Sequence, residues 1–287
     1  MIVVTGATGN IGRSLVGRLL EQGVPVRALT RDPARAELPA RTEVVRADLV
    51  EDPDLAPLLA DAEALFLNLA AGGASAQRLI DAAQRAGVRR IVLNSSLSIT
   101  DSPVDDTNFI SRSHAEAERA VRASGLEWTF LRGGNYATNA LRWAPAIRAT
   151  GVVRDAHPGA QSAPVHEADL ADAAAVALLD RSGAHAHQIH RLTGPEVLTN
   201  TQQVAAIAEV TGRPARIEQI SEDEAAEAMA GPHFPIEAAR QLVHLFGQSI
   251  DAPAFPVTDD VARVTGHPAR TFAQWAGDHA GDFAGHR

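Results

Sequence analysis

No lysine occurs anywhere in this chain: all 26 of its basic residues are arginine. Its one tyrosine is Tyr136, and the residue four places further on is Ala140. Cysteine is absent as well, which excludes disulfides, thiolate nucleophiles and Cys-ligated zinc together without naming a compartment. No apolar stretch reaches the roughly 18 residues that a membrane-crossing helix needs. Strand-like residues begin at Ile2 with no basic leader before them, so the expectation is a cytoplasmic protein. Positive charge is in deficit, with a formal net charge of −9 and a pI near 5.6. Binding a nucleic acid or an anionic membrane needs clustered positive charge, so neither partner is expected. Low-complexity tracts and internal repeats are missing too.

What is present is an apolar chain of globular type, 287 residues long, 45% hydrophobic and 21% charged. That is enough for one large α/β domain with an appended lobe. Short β-branched runs at 2–5, 24–30, 43–47, 64–69, 90–94 and 128–131 alternate with stretches of helical period such as 13–22 and 76–86. Alternation of this kind predicts a doubly wound parallel sheet covered on both faces. Gly23, Gly87 and Gly125 each stand between a helical stretch and a strand, where a left-handed helix end is expected. After about Thr150 the alternation fades into a Pro/Gly/His-containing segment, a helix over 167–180 and a short strand over 188–192. The remainder reads as mostly helical, broken at Pro232, Pro235, Pro253 and Pro256. The expected division is a Rossmann-like dinucleotide-binding domain over 1–153, completed by about 186–197, and a smaller substrate-binding lobe over 154–287.

The stretch TGATGNIG carries Gly6, Gly9 and Gly12 between a strand and a helix. Glycine there permits a tight turn, close approach of backbone to a pyrophosphate, and close helix-to-strand packing. The following helix N-terminus offers unpaired N–H groups to the phosphates. At the end of the second strand an acidic residue would hold the ribose 2′-hydroxyl of NAD, but this chain has Ala28-Leu29-Thr30-Arg31. A guanidinium at that position suits a 2′-phosphate, so NADP(H) is favoured over NAD(H). Asp48 follows the third strand; it could accept from an adenine amino group or cap the next turn.

TGATGNIG, VRALTRDP, IVLNSS, SGLEWTFLRGGNYATN and LTGPEVLTNTQ together resemble the NmrA-like branch of the atypical short-chain dehydrogenase/reductase family, including its NAD(P)H:quinone oxidoreductase-like members. The resemblance runs over nearly the whole chain. It implies a Rossmann-like cofactor domain, an NADP(H) preference and a substrate cleft between that domain and the C-terminal lobe. By matched position it also implies cofactor contacts from Thr8, Asn10, Ile11, Arg31, Asp48, Leu49, the loop Leu69, Ala70 and Ala71, and the strand end Asn94, Ser95 and Ser96.

The departures from that family matter equally. Its wider members use a Tyr as proton donor and a Lys four residues on that lowers the Tyr pKa. By alignment Ile110 stands at the Tyr position and His114 at the Lys position, one helical turn apart on the same face. Because the chain has no lysine, the dyad is absent whatever the alignment. Ser96, at the family's serine position, is a candidate to hydrogen-bond a substrate oxygen, or else a turn hydroxyl. His114 is a candidate to contact ribose or relay a proton, or else a structural histidine. Tyr136 and Asn139, just past the sixth strand, and Phe234 near the start of HFPIEAARQLVHLF are the candidate substrate contacts; Tyr136 is otherwise an aromatic packed on the lobe, and the stretch from His233 to Phe246 otherwise an interface to another subunit.

Other constellations carry less. His185, His187 and His190 in AHAHQIH invite a metal reading, but on strand parity His190 falls on the opposite face from the other two, so no metal site is expected. SEDEAAEA from Ser221 reads as a helix start with a capping box, and no G-x-S-x-G elbow is present. The expected function is therefore an NADP(H)-dependent oxidoreductase. Its substrate would be a quinone-like, enone or other small electrophilic carbonyl compound that needs no strong protein acid. Two alternatives share the residues: a non-catalytic NADP(H) sensor acting on a protein partner, and a biosynthetic enzyme with a tailored or redox-neutral reaction. A homodimer is compatible with each.

Overall fold

The computed structural model describes residues 1–52, 54–69, 75–99, 109–231 and 234–284. Strands β1 (Ile2–Val4), β2 (Val26–Thr30), β3 (Glu43–Arg46), β4 (Ala64–Asn68), β5 (Arg90–Ser96), β6 (Glu127–Gly133) and, later in the chain, β9 (Gln188–Leu192) form one sheet. Its order is β3-β2-β1-β4-β5-β6-β9, and each pairing is parallel. The chain thus steps outward in one direction from β1 to β3, then returns to the other side of β1 with β4. The carboxyl ends of β1 and β4 are consequently the topological switch point, where open α/β sheets bind ligands.

Helices α1 (Asn10–Glu21), α2 (Ala76–Arg85), α3 (Phe109–Ala123) and α5 (Glu167–Leu179) cover this sheet, and a short α4 (Ala144–Ala149) lies between α3 and α5 in sequence. Alternation within the strands divides the covering. Val3, Leu65, Leu67, Ile91, Leu93 and Phe130 share one buried cluster with Leu79, Ile80 and Ala83 of α2 and Ala117 and Val121 of α3. The intervening Val4, Phe66 and Val92 are buried toward the other face, where α1 and α5 pack on one another and α5 meets β4, β5 and β6. Burial on both faces explains why these strands read as continuous apolar runs. Gly23, Gly87 and Gly125 take φ of +72°, +75° and +73°, the left-handed helix ends expected of them.

Packing divides the chain into two units. The first comprises Met1–Gly134, Glu167–Leu192 and Asp260–His267, the last of these including helix α9 (Asp260–Thr265). The second comprises Asn135–His166, Thr193–Asp259 and the segment from Pro268 onward. Residues 135–153 therefore pack in the second unit, and α5 in the first, a division that the fading alternation after Thr150 does not reveal.

The second unit is less purely helical than its composition predicts. Strand β7 (Val152–Asp155) pairs in parallel with β11 (Arg216–Gln219), and β8 (Gln161–Ser162) pairs antiparallel with β10 (Leu198–Thr199). Segments of two to four residues are too short for alternation to announce them. Its helices include α6 (Asn200–Thr211), α7 (Glu222–Met229), α8 (Ile236–Gly247) and α10 (Phe272–Asp278). Capping boxes open α6, α7 and α10, at Thr199–Gln202, Ser221–Glu224 and Thr271–Gln274. Trp143, Ile207, Phe272, Trp275 and Phe283 belong to one buried apolar cluster of this unit. Among the described residues no helix is long and apolar enough to cross a membrane.

Candidate functional site

The turn after β1 depends on glycine at Gly6 and Gly12. Thr5 closes the switch point: its hydroxyl donates to the Phe66 carbonyl at 3.1 Å and accepts the Asn68 N–H at 2.8 Å. Gly6 then takes a φ of +62°, and its carbonyl accepts the Gly9 N–H at 3.0 Å. A Cβ on Gly12 would stand 2.1 Å from the Gly6 carbonyl oxygen and 2.8 Å from the Ala7 Cα. Helix α1 is thus pressed directly against the turn. Gly9 is the residue before its first turn and brings no side-chain cap, so the opening N–H groups keep donors that a diphosphate could take. Thr8 and Ile11 are half-buried beside this mouth and Asn10 is exposed at it. The missing Cβ atoms and the uncapped helix end fit a dinucleotide.

At the carboxyl end of β2, Arg31 is exposed. Its charge, with that of Arg46, reaches Asp48 beyond β3. Asp48 Oδ1 accepts the N–H groups of Val50 at 3.0 Å and Glu51 at 3.2 Å, and its own N–H donates to Asp52 at 2.6 Å. These backbone hydrogen bonds, chiefly the one from Val50, hold the Asp48 carboxyl below the usual carboxylate range. Of the two roles open in the sequence, the turn cap is made through Oδ1. Leu49 beside it is buried, as is Leu69 just past β4. Ala70 and Ala71 lie outside the described residues.

The end of β5 carries three polar residues with different surroundings. Asn94 and Ser95 are buried. Ser96 is half-buried, with its Oγ 2.8 Å from Ser98 Oγ and accepting the Ser98 N–H at 3.1 Å. From the next helix Ser111 Oγ donates to the Ser98 carbonyl at 3.0 Å, so the first turn of α3 is tied to the turn holding Ser96. One turn along α3, His114 has Nδ1 2.8 Å from the Ile110 carbonyl. A carbonyl only accepts, so Nδ1 carries the proton and neutral His114 keeps a lone pair on Nε2. Burial lowers the His114 pKa against the opposing pull of Ile110 and Glu118.

Sequence reasoning missed the group that anchors this corner. Glu118, on α3, accepts from Ser95 Oγ at 2.6 Å and pairs with Arg132 of β6 at 2.9 and 2.8 Å. Both charged groups are almost fully buried. One carboxylate thereby ties α3 to two neighbouring strands. The signal was an unremarkable Glu within a helical Ala/Glu/Arg pattern, which reads as a solvated face.

The remaining candidates belong to the second unit. Tyr136 is half-buried, bridges Val165 in parallel fashion and precedes a 3-10 turn over Ala137–Trp143. Within that turn Asn139 is exposed. Phe234 exchanges two backbone hydrogen bonds with Gly231 and packs on Ala156, Ala226, Ala239 and Val243. The histidine run of the first unit departs from the expected parity. His185 and His187 precede β9, so strand alternation does not govern them; His185 Nδ1 lies 3.1 Å from His190 Nε2, while His187 takes a φ of +59° and stacks edge-on against Trp128.

Residues 6–181 match the family model described as NAD(P)H-binding. The chain is 38% identical over 286 residues to (4-alkanoyl-5-oxo-2,5-dihydrofuran-3-yl)methyl phosphate reductase of Streptomyces griseus, with 99% of each chain covered. It is 35% identical over 291 residues to the NAD(P)H azoreductase of Xenophilus azovorans, again with 99% of each covered. A solved structure of Escherichia coli NADPH-dependent quinone oxidoreductase in complex with NADPH superposes with a TM-score of 0.79 at 28% identity, covering 97% of this chain and 99% of that one. The chain belongs to the NAD(P)H-binding family, within the NmrA-like oxidoreductases of the atypical short-chain dehydrogenase/reductase fold. It is an NAD(P)H-dependent oxidoreductase.

Proposed function

We propose that this enzyme prefers NADPH and reduces a small conjugated electrophile, a quinone or enone in the first instance, without an acid built from tyrosine and lysine. The observation that carries the reading is the chain's complete lack of lysine, with His114 in the helical position where the family's wider members have it. A simple ketone becomes an alkoxide on accepting hydride and calls for a strong acid at once; a quinone or enone spreads the added charge over its conjugated system and takes its proton from water. The named activities of the relatives, on a dihydrofuranone phosphate, on azo compounds and on quinones, agree with such electron-poor acceptors.

The bound nicotinamide would supply the hydride. The residues proposed to hold the cofactor are the turn Gly6, Thr8, Gly9, Asn10, Ile11 and Gly12 for the diphosphate, Arg31 for the 2′-phosphate, and Asp48, Leu49, Leu69, Ala70, Ala71, Asn94 and Ser95 around the remainder. Ser96 Oγ would donate to the substrate oxygen as negative charge gathers there, and His114, through Nε2, would orient ribose or pass a proton. Tyr136, Asn139 and Phe234 are proposed as substrate contacts.

Following NADPH absorbance with a panel of quinones, enones, azo compounds and simple ketones tests the reading. Turnover of the conjugated acceptors with the ketones untouched is the expected outcome; equal or faster ketone reduction overturns it. For the cofactor, Arg31→Ala should weaken NADPH by about 10- to 100-fold, the worth of a charge-assisted forked contact, and NADH far less. Equal losses would mean that Arg31 does not read the 2′-phosphate.

A further inference from the structure

Arg31 is not the sole arginine at the mouth of the glycine-rich turn. Arg13, in the first turn of α1, directs its guanidinium back across that mouth. Its Nη2 donates to the Thr8 carbonyl at 3.4 Å, and its Nη1 donates to the carbonyl of Glu37. Thr8 belongs to the turn proposed to take the diphosphate. Glu37 belongs to the β2–β3 connection that begins with Arg31, and it adopts a φ of +46°, costly for a side chain larger than glycine. The same connection is fastened further along, where Arg41 Nη2 donates to the Leu20 carbonyl near the other end of α1 at 3.2 Å. Ala36, beside Glu37, is buried at 3% exposure. The loop is therefore held to both ends of α1, and the fastening at the nucleotide end is Arg13.

We infer that Arg13 is a positioning residue for 2′-phosphate selectivity: by bridging the Thr8 and Glu37 carbonyls it fixes the Arg31 loop against the glycine-rich turn. The inference rests on the reading of Arg31 given above and extends it to a residue outside the 2′-phosphate contact itself. The physical reason is the cost of ordering. An exposed arginine on a free connection must lose loop and side-chain freedom when it grips a phosphate, whereas a loop already fastened on either side loses less. A guanidinium suits the task because its planar fork serves two carbonyls at once, which a lysine ammonium on a single flexible stem does less well. NADH has no 2′-phosphate for Arg31 to grip, so loss of the fastening weakens the phosphorylated cofactor more than NADH and shifts the ratio of the two.

The test measures dissociation constants for NADPH and NADH, by nucleotide fluorescence titration, in the wild-type protein and in Arg13→Met, Arg13→Lys and Arg31→Ala. Arg13→Met should shift the ratio of the two constants about tenfold toward NADH, the worth of about one hydrogen bond's ordering. Arg13→Lys should recover only part of that shift, since the charge returns without the fork. NADH binding by each variant reports that the nucleotide domain is folded. Equal weakening of both cofactors, an unchanged ratio in Arg13→Met, or full recovery by Arg13→Lys each overturns the inference, the last by making charge alone sufficient. A wild-type ratio near one, or an Arg31→Ala variant whose ratio equals wild type, overturns the Arg31 reading itself and this inference with it. An Arg31→Ala shift without an Arg13→Met shift overturns the inference alone.

Discussion

His114 shows how much of a residue's chemistry is set by its nearest neighbours. The Ile110 carbonyl fixes the tautomer, and burial, the largest influence, holds the pKa below that of a free histidine. A histidine whose folded pKa is depressed binds fewer protons folded than unfolded between that pKa and about 6.5, the unfolded value. Stability is therefore fully present above pH 6.5 and declines as pH falls through that window. Thermal melts at stepped pH should show His114→Gln losing less stability on acidification than wild type. The decline should persist in part, because burial also depresses His190. Identical pH dependence in the two proteins would mean that His114 is not desolvated as described.

On the scale of elements, the glycine-rich turn and the Glu118 anchor make opposite demands. Gly12 admits no side chain because the Gly6 carbonyl occupies the place of its Cβ. Gly12→Ala must move α1 off the turn, costing about 1–3 kcal/mol as overpacked sites do. Its dinucleotide affinity should fall further than its denaturation midpoint does, as titration and urea unfolding together would reveal. Glu118 is costly for the reverse reason, since removal leaves a buried guanidinium without this carboxylate. Glu118→Leu should lose about 3–5 kcal/mol in urea unfolding, with much of it recovered when Arg132 is replaced by Met as well. Recovery of nothing in the double variant would show the pair to be independent of one another.

For the whole molecule, the missing lysines offer a chemical test that needs no mutation. An amine-acylating reagent finds no lysine in the chain, so exhaustive acylation should leave NAD(P)H-dependent turnover intact. An arginine-directed dicarbonyl should inhibit, and NADPH should protect more strongly than NADH if Arg31 is among the residues shielded. Loss of turnover on acylation would point to a reactive amine outside the scheme set out here.

Much of this protein is local and so could be read in one dimension. The parallel sheet follows from strands apolar on both faces alternating with helices. The glycine-rich turn follows from Gly6, Gly9 and Gly12 between a strand and a helix, and the missing dyad is a matter of counting. The helix expected over 167–180 forms over Glu167–Leu179, and the strand expected over 188–192 forms over Gln188–Leu192. Tertiary structure decided what depends on partners distant in sequence. It joined Glu118 to Ser95 and Arg132, brought Arg13 to the Glu37 carbonyl, returned α5 to the first unit, set His185 against His190, and paired the short strands of the second unit. Periodicity encodes which face of an element is buried; it does not encode which buried polar group will meet which. Such meetings arise only once the strands are ordered side by side, because a hydrogen bond between residues far apart in the chain leaves no repeat in the sequence.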